Sequence, residues 1–114
     1  MQISHVIASI FALAVAYAVL KPRSGIRGTE ARDLVRAGAR LVDVRTTAEF
    51  ASGHIAGAIN IPVQDLERRM SEIDNKERPI VVYCRSGGRS GNAAGMLRNA
   101  GYVQVHDLGA MTRW

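Results

Sequence analysis

The passage from Ile80-Val81-Val82-Tyr83 into Cys84-Arg85-Ser86-Gly87-Gly88-Arg89-Ser90 narrows the fold of this chain more than any other feature. A short β-branched run bounded by Pro79 reads as a buried strand. The Ala- and Leu-containing stretch over about 91–100, stopped by Gly101, reads as a helix. The heptad between them is then a strand-to-helix loop. Such a loop turns successive backbone N–H groups inward, and the helix behind it adds partial positive charge, so the concavity suits an anion. Cys84, the only cysteine of the 114 residues, stands at its floor.

A lone cysteine at the end of an apolar strand is ordinarily a small buried hydrophobe, and Gly-Gly ordinarily marks a turn. The chemistry becomes specific only through the neighbours. The nucleophile is the thiolate, and a free cysteine with a pKa of about 8.5 is only slightly ionised at neutral pH. Lowering that value by about two units takes roughly 2.7 kcal/mol, whereas a helix dipole supplies about 0.3–1 kcal/mol. Most of the effect must therefore come from loop N–H groups aimed at the sulfur, with Arg85 and Arg89 adding positive potential. Gly87 and Gly88 permit positive φ and keep Cβ atoms out of a substrate's path.

With the loop in place, the chain resembles the rhodanese family of sulfurtransferases. Leu41-Val42-Asp43-Val44-Arg45, then Glu49-Phe50, then Gly53-His54-Ile55-Ala56-Gly57-Ala58-Ile59-Asn60-Ile61-Pro62 are similar to its two upstream signatures, in the right order, and the likeness covers about 28–114. The resemblance implies that Cys84 takes a sulfane sulfur from a donor such as thiosulfate, becomes a persulfide, and passes the sulfur to cyanide or a thiol. Arg85, Ser86, Gly87, Gly88, Arg89 and Ser90 would then bind the donor. Asp43, near the same sheet edge, is a supporting residue that pairs with Arg89 or accepts loop N–H groups, or else a plain turn carboxylate. His54 matches a structural histidine of the motif, and Ala110 departs from a Gly-Gly pair common near that point. The family's phosphatase relatives carry five residues between cysteine and arginine, whereas four separate Cys84 from Arg89 and Ser90 takes the next place. A shorter loop fits a terminal sulfur better than a phosphoryl group, and no general acid stands beside the loop. A cysteine phosphatase is thus the weaker alternative, and a non-turnover sulfur-relay or binding module is the other.

Length and composition support one domain, with no room for a tandem second one. His5, His54 and His106 lack ligand spacing, so neither metal nor cofactor is implied. With no second thiol to resolve a persulfide, the acceptor must be external: a small thiol, cyanide or a protein. The formal charge of +5 is dispersed among acids without a basic run, which argues against nucleic acid and for an anionic substrate or a membrane surface.

The first twenty residues contain no Lys, Arg, Asp or Glu, and Lys21, Pro22 and Arg23 follow directly. As a helix, the stretch over 3–20 reaches about 27 Å against a hydrocarbon core of about 30 Å. It reads as a transmembrane anchor over 1–20, joined by a linker over 21–27 to the domain over 28–114. By the positive-inside rule the catalytic domain then faces the cytoplasm at the inner membrane. Ala16-Tyr17-Ala18 supports the alternative of a cleaved signal and a periplasmic domain.

Elsewhere Thr29 is placed to cap a helix over about 30–37 with Gly38 as its stop, followed by a strand over 40–44. Thr47 would cap a short turn through Ala51, with Arg45 and Glu49 as a local ion pair. A brief strand follows over 58–61, then a helix over about 63–75 burying Val63, Leu66, Met70 and Ile73 and exposing Arg68 and Arg69. A last strand over 103–106 and a short end in which Trp114 packs complete an α/β fold: a mainly parallel sheet flanked by helices. The site belongs at the carboxyl ends of its strands.

Overall fold

The computed structural model describes residues 25–114. The expected anchor over 1–20 and most of the expected linker over 21–27 therefore lie outside the described residues, and among the described residues no helix is long and apolar enough to cross a membrane.

Four strands form one parallel sheet in the order β2-β1-β3-β4: β1 (Arg40–Asp43), β2 (Ile59–Asn60), β3 (Ile80–Cys84) and β4 (Val105–Ala110). Every residue of β3 is buried, as its central position demands. The period of two divides its side chains between two cores. Ile80, Val82 and Cys84 join Val42, Val44, Leu66, Ile73, Ala93 and Leu97 on one face. Val81 and Tyr83 join Ala31, Leu41, Ile55 and Leu108 on the other, with half-buried Trp114 packed against them. The first face is covered by α4 (Gly88–Asn99) and the segment around α3 (Leu66–Arg69), the second by α1 (Gly28–Arg36).

Several boundaries differ from the sequence expectation. Helix α1 begins at Gly28 with Arg27 as an uncapped N-cap, so Thr29 lies inside the helix. Helix α2 (Thr47–Ala51) is capped by Thr46, not Thr47. Thr46 and Glu49 form a capping box in which each side chain accepts the other's backbone N–H. The helix expected over 63–75 divides into a 3-10 turn (Val63–Asp65), α3 and a second 3-10 turn (Met70–Glu72). The buried Tyr102 hydroxyl donates toward the carbonyls of Met70 and Ile73, so the segment is shaped by a tertiary partner. Arg68 and Arg69 do lie toward solvent, paired with Asp65 and Glu72.

Strand β4 starts later and runs further than expected. Its pairing with β3 steps from Val82↔Asp107 to Tyr83↔Gly109, leaving Leu108 as the extra residue of a bulge. Gly109 takes φ +84°, and its N–H donates to Asp107 Oδ1 at 2.8 Å. Ala110 is extended at φ −70°, ψ 137°, so the final turn needs one glycine, and alanine fits the second place. The 3-10 turn Met111–Arg113 follows directly on Ala110, which pairs with Cys84 at the end of β3.

Candidate active site

Cys84 ends β3 with its side chain fully buried. The chain then turns through Gly87 at φ +107°, where an L side chain is strained, and α4 starts at Gly88. The helix begins three residues earlier than the sequence suggested, so Gly88, Arg89 and Ser90 form its first turn. Gly88 does not take positive φ, and open space surrounds the place where its Cβ would stand.

The Gly87 N–H donates to Cys84 Sγ at 2.9 Å. Ser90, also fully buried, places Oγ 3.4 Å from Sγ and donates to the Gly87 carbonyl at 3.1 Å. Burial alone raises the thiol pKa, but the Ser90 hydroxyl and the backbone N–H groups of Ser90, Gly87 and Ser86 outweigh it. The net result is a thiol below its ordinary value. The Ser90 hydroxyl is the largest lowering influence and the loop N–H groups come after it, whereas the sequence suggests N–H groups helped by Arg85 and Arg89.

The flanking charges are paired differently from the sequence expectation. Asp43 does not reach Arg89 or the loop. It is fully buried and accepts from the Arg45 guanidinium at 2.7 Å and from the Arg45 backbone N–H at 2.8 Å. Arg45 is accordingly no partner of Glu49. Its second contact is the Gly53 carbonyl at 2.7 Å. Glu49 instead binds Arg89 through both oxygens, at 2.6 and 3.0 Å. The Arg89 guanidinium, helped by the Thr46 N–H, holds the Glu49 carboxyl well below the usual carboxylate range. Arg85 and Ser86 are exposed, and among the described residues Arg85 makes no hydrogen bond or ion pair.

A cleft of about 380 Å³ opens at the loop, lined by Arg45, Glu49, Ser52, Arg85, Met111 and Thr112. A larger one, about 640 Å³, runs beside β4 and α4 past Arg98 and His106, and none of residues 84–90 lines it, whereas Arg85 lines the smaller. Sequence reasoning missed Ser52, Met111 and Thr112 as walls. It also missed the Glu49–Arg89 clamp, although Thr46-x-x-Glu49 spells a capping box that would have fixed the carboxylate's direction. His54 stacks on Phe50, with ring centroids 3.6 Å apart, and its Nδ1 lies 2.9 Å from the Phe50 carbonyl. Those contacts suit a support within its own turn.

Residues 28–114 match the Rhodanese-like domain family. The chain belongs to the rhodanese family. Among curated relatives, this rhodanese chain is 43% identical over 77 residues to the uncharacterised protein YqhL of Bacillus subtilis, covering 67% of the chain and 60% of YqhL. It is 47% identical over 75 residues to a sulfurtransferase of Allochromatium vinosum, covering 65% and 69%. With the thiosulfate sulfurtransferase PspE of Escherichia coli it shares 34% over 71 residues, covering 61% and 68%. The chain thus spans about three fifths to two thirds of each of these proteins. Among solved structures, the human single-domain sulfurtransferase TSTD1 superposes with a TM-score of 0.67 at 30% identity, covering 80% of this rhodanese and 91% of that protein.

Proposed function

We propose that this rhodanese moves a sulfane sulfur from an anionic donor such as thiosulfate to an external thiol, cyanide or protein acceptor through a Cys84 persulfide. The arrangement that carries the reading is a buried sulfur met by the Gly87 N–H at 2.9 Å and the Ser90 hydroxyl at 3.4 Å, with Arg85, unpaired among the described residues, lining the adjoining cleft. In the first half-reaction the Cys84 thiolate attacks the terminal sulfur of thiosulfate. The new S–S bond forms as the old one breaks, and sulfite leaves with the bonding pair. The outer persulfide sulfur then carries the negative charge that the loop N–H groups received as thiolate. In the second half-reaction the acceptor attacks that outer sulfur and Cys84 departs as thiolate. No proton is required at either S–S cleavage.

Arg85 and the N–H groups of Ser86, Gly87 and Ser90 hold the donor anion in this scheme, and Gly88 leaves the approach open. The wall residues favour sulfur transfer over phosphate-ester hydrolysis. The one carboxylate among the described residues lining the cleft, Glu49, is ionised and bound to Arg89, which leaves no carboxylic acid among them to protonate an alkoxide. Mass spectrometry after thiosulfate treatment is expected to find one added sulfur atom on the wild type and none on Cys84→Ser. A wild-type protein that takes up no sulfur refutes the proposal, and loading without turnover to cyanide or small thiols reassigns the chain to a relay role. The apolar 1–20 segment supports anchoring at the inner membrane with the domain in the cytoplasm. Cell fractionation with protease protection tests this, and a periplasmic soluble form would replace it.

A further inference from the structure

Two arginines flank the nucleophile, and the protein treats them oppositely. Both terminal nitrogens of Arg89 donate to Glu49, and Glu49 is itself immobilised by the α2 capping box. There the Thr46 N–H donates to Oε1 at 3.0 Å, and the Glu49 N–H donates to Thr46 Oγ1 at 3.1 Å. The ion pair is only a third to a quarter exposed. Arg89 sits five residues after Cys84, in the first turn of α4, close enough for a Cys84 thiolate to favour its charged form. The other charges on this side, Asp43 and Arg45, neutralise each other. Among the described residues, Arg85 alone lines the cleft with no partner for its guanidinium.

We propose that Glu49 is a specificity-determining positioning residue: by occupying Arg89 it leaves the loop one available guanidinium instead of two, which disfavours tetrahedral oxyanions relative to a donor that offers a terminal sulfur. A free oxyanion of the phosphate type is bound best by two or more charge-assisted contacts. The capping box fixes the Glu49 carboxylate that pairs the second cation, while the sulfur end of the donor is met by N–H groups. The inference rests on the sulfur-transfer reading for its substrate, but its central claim, that Glu49 masks Arg89, is independent of turnover.

The test follows alkylation of Cys84 by iodoacetamide as a function of pH, and its protection by inorganic phosphate, in the wild type, Glu49→Gln, Arg89→Gln, the double variant and Arg85→Gln. In Glu49→Gln the amide still accepts the Thr46 N–H, so α2 keeps its cap while Arg89 is released. Phosphate is expected to protect this variant at roughly tenfold lower concentration than the wild type, as one added charge-assisted contact implies. The midpoint pH of alkylation falls with it. Arg89→Gln changes phosphate protection little, the double variant behaves like Arg89→Gln, and Arg85→Gln loses protection. Equal protection in Glu49→Gln and the wild type overturns the proposal. So does a loss in Arg89→Gln as large as that in Arg85→Gln, a comparison that remains available if Glu49→Gln does not fold. Failure of persulfide loading alone would sink the sulfur-transfer reading and leave this result standing.

Discussion

Removing the Ser90 hydroxyl tests how the fold activates Cys84. With a neutral thiol, Sγ–H donates to Ser90 Oγ while the serine proton goes to the Gly87 carbonyl. On ionisation that single proton must turn to the sulfur. Little is lost on the other side, because the Gly87 carbonyl keeps the Gly91 N–H at 3.1 Å. A hydrogen bond to a charged group contributes about 1.5–3 kcal/mol. Deducting the exchanged serine–carbonyl bond leaves about 1–2 kcal/mol in favour of the thiolate, or about one pH unit. Ser90→Ala is therefore expected to raise the alkylation midpoint of Cys84 by about one unit and cut the thiolate fraction at neutral pH roughly tenfold. The same carbonyl bond to Gly91 predicts only a small change in the urea midpoint. Stopped-flow alkylation against pH, paired with urea unfolding, separates the two effects. An unmoved alkylation midpoint in a stable Ser90→Ala protein would mean that the backbone N–H groups do all the work.

Three further outcomes follow from the same packing. Asp43→Ala strands the buried Arg45 guanidinium and is expected to cost about 3–5 kcal/mol, read as a shift in urea midpoint; a cost below about 1 kcal/mol would show the pair to be dispensable. Burial pushes the Tyr83 phenol up to about 12, so its neutral form stabilises the fold below the unfolded value of about 10. That stability is lost as pH rises through the folded value, by about 2–3 kcal/mol. Tyr83→Phe should remove this alkaline loss while costing about 1–3 kcal/mol at neutral pH by leaving the Ile55 N–H without its acceptor; an unchanged alkaline slope refutes the assignment. Gly87→Ala, forced to φ +107°, should lose about 1–2 kcal/mol and slow alkylation together, since the same residue supplies the N–H at the sulfur. Loss of one without the other would separate turn strain from activation.

The strand-loop-helix unit around Cys84 was legible because each part carries its own local signal: β-branched residues before, glycines within, a helix former pattern after. The two-faced parallel sheet followed from strands alternating with helices. The segment over 63–75 was not legible, because its helical spacing is real while the break comes from Tyr102, thirty residues away in the sequence. Charge pairing failed for a related reason. Arg45 and Glu49 sit one turn apart and look like partners, but Arg45 lies just beyond β1, where the buried Asp43 carboxylate that ends the strand receives it away from solvent. The walls contributed by Met111 and Thr112 depend on a bulge at Leu108, and nothing local in Leu108-Gly109-Ala110 specifies where the following turn will land.

The residues of the upstream signatures thereby divide between holding the site and charging it. Arg45 ties Asp43 to the Gly53 carbonyl, Asn60 donates to the carbonyls of Asp43 and Arg45, and the Tyr83 hydroxyl receives the Ile55 N–H. These bonds fasten the 53–60 segment to β1 and β3, so their loss should appear first as instability. The Glu49–Arg89 pair is different: it is partly exposed, it joins α2 to α4 across the loop, and one of its members lines the cleft. Its worth lies less in stability, where exposed pairs contribute little, than in the charge it subtracts beside the sulfur. The proposed transfer, whose bonds break between sulfurs, makes no call on an acid there, since thiolate and sulfite leave without a proton. An ester whose alkoxide must be protonated finds only a carboxylate already committed to arginine.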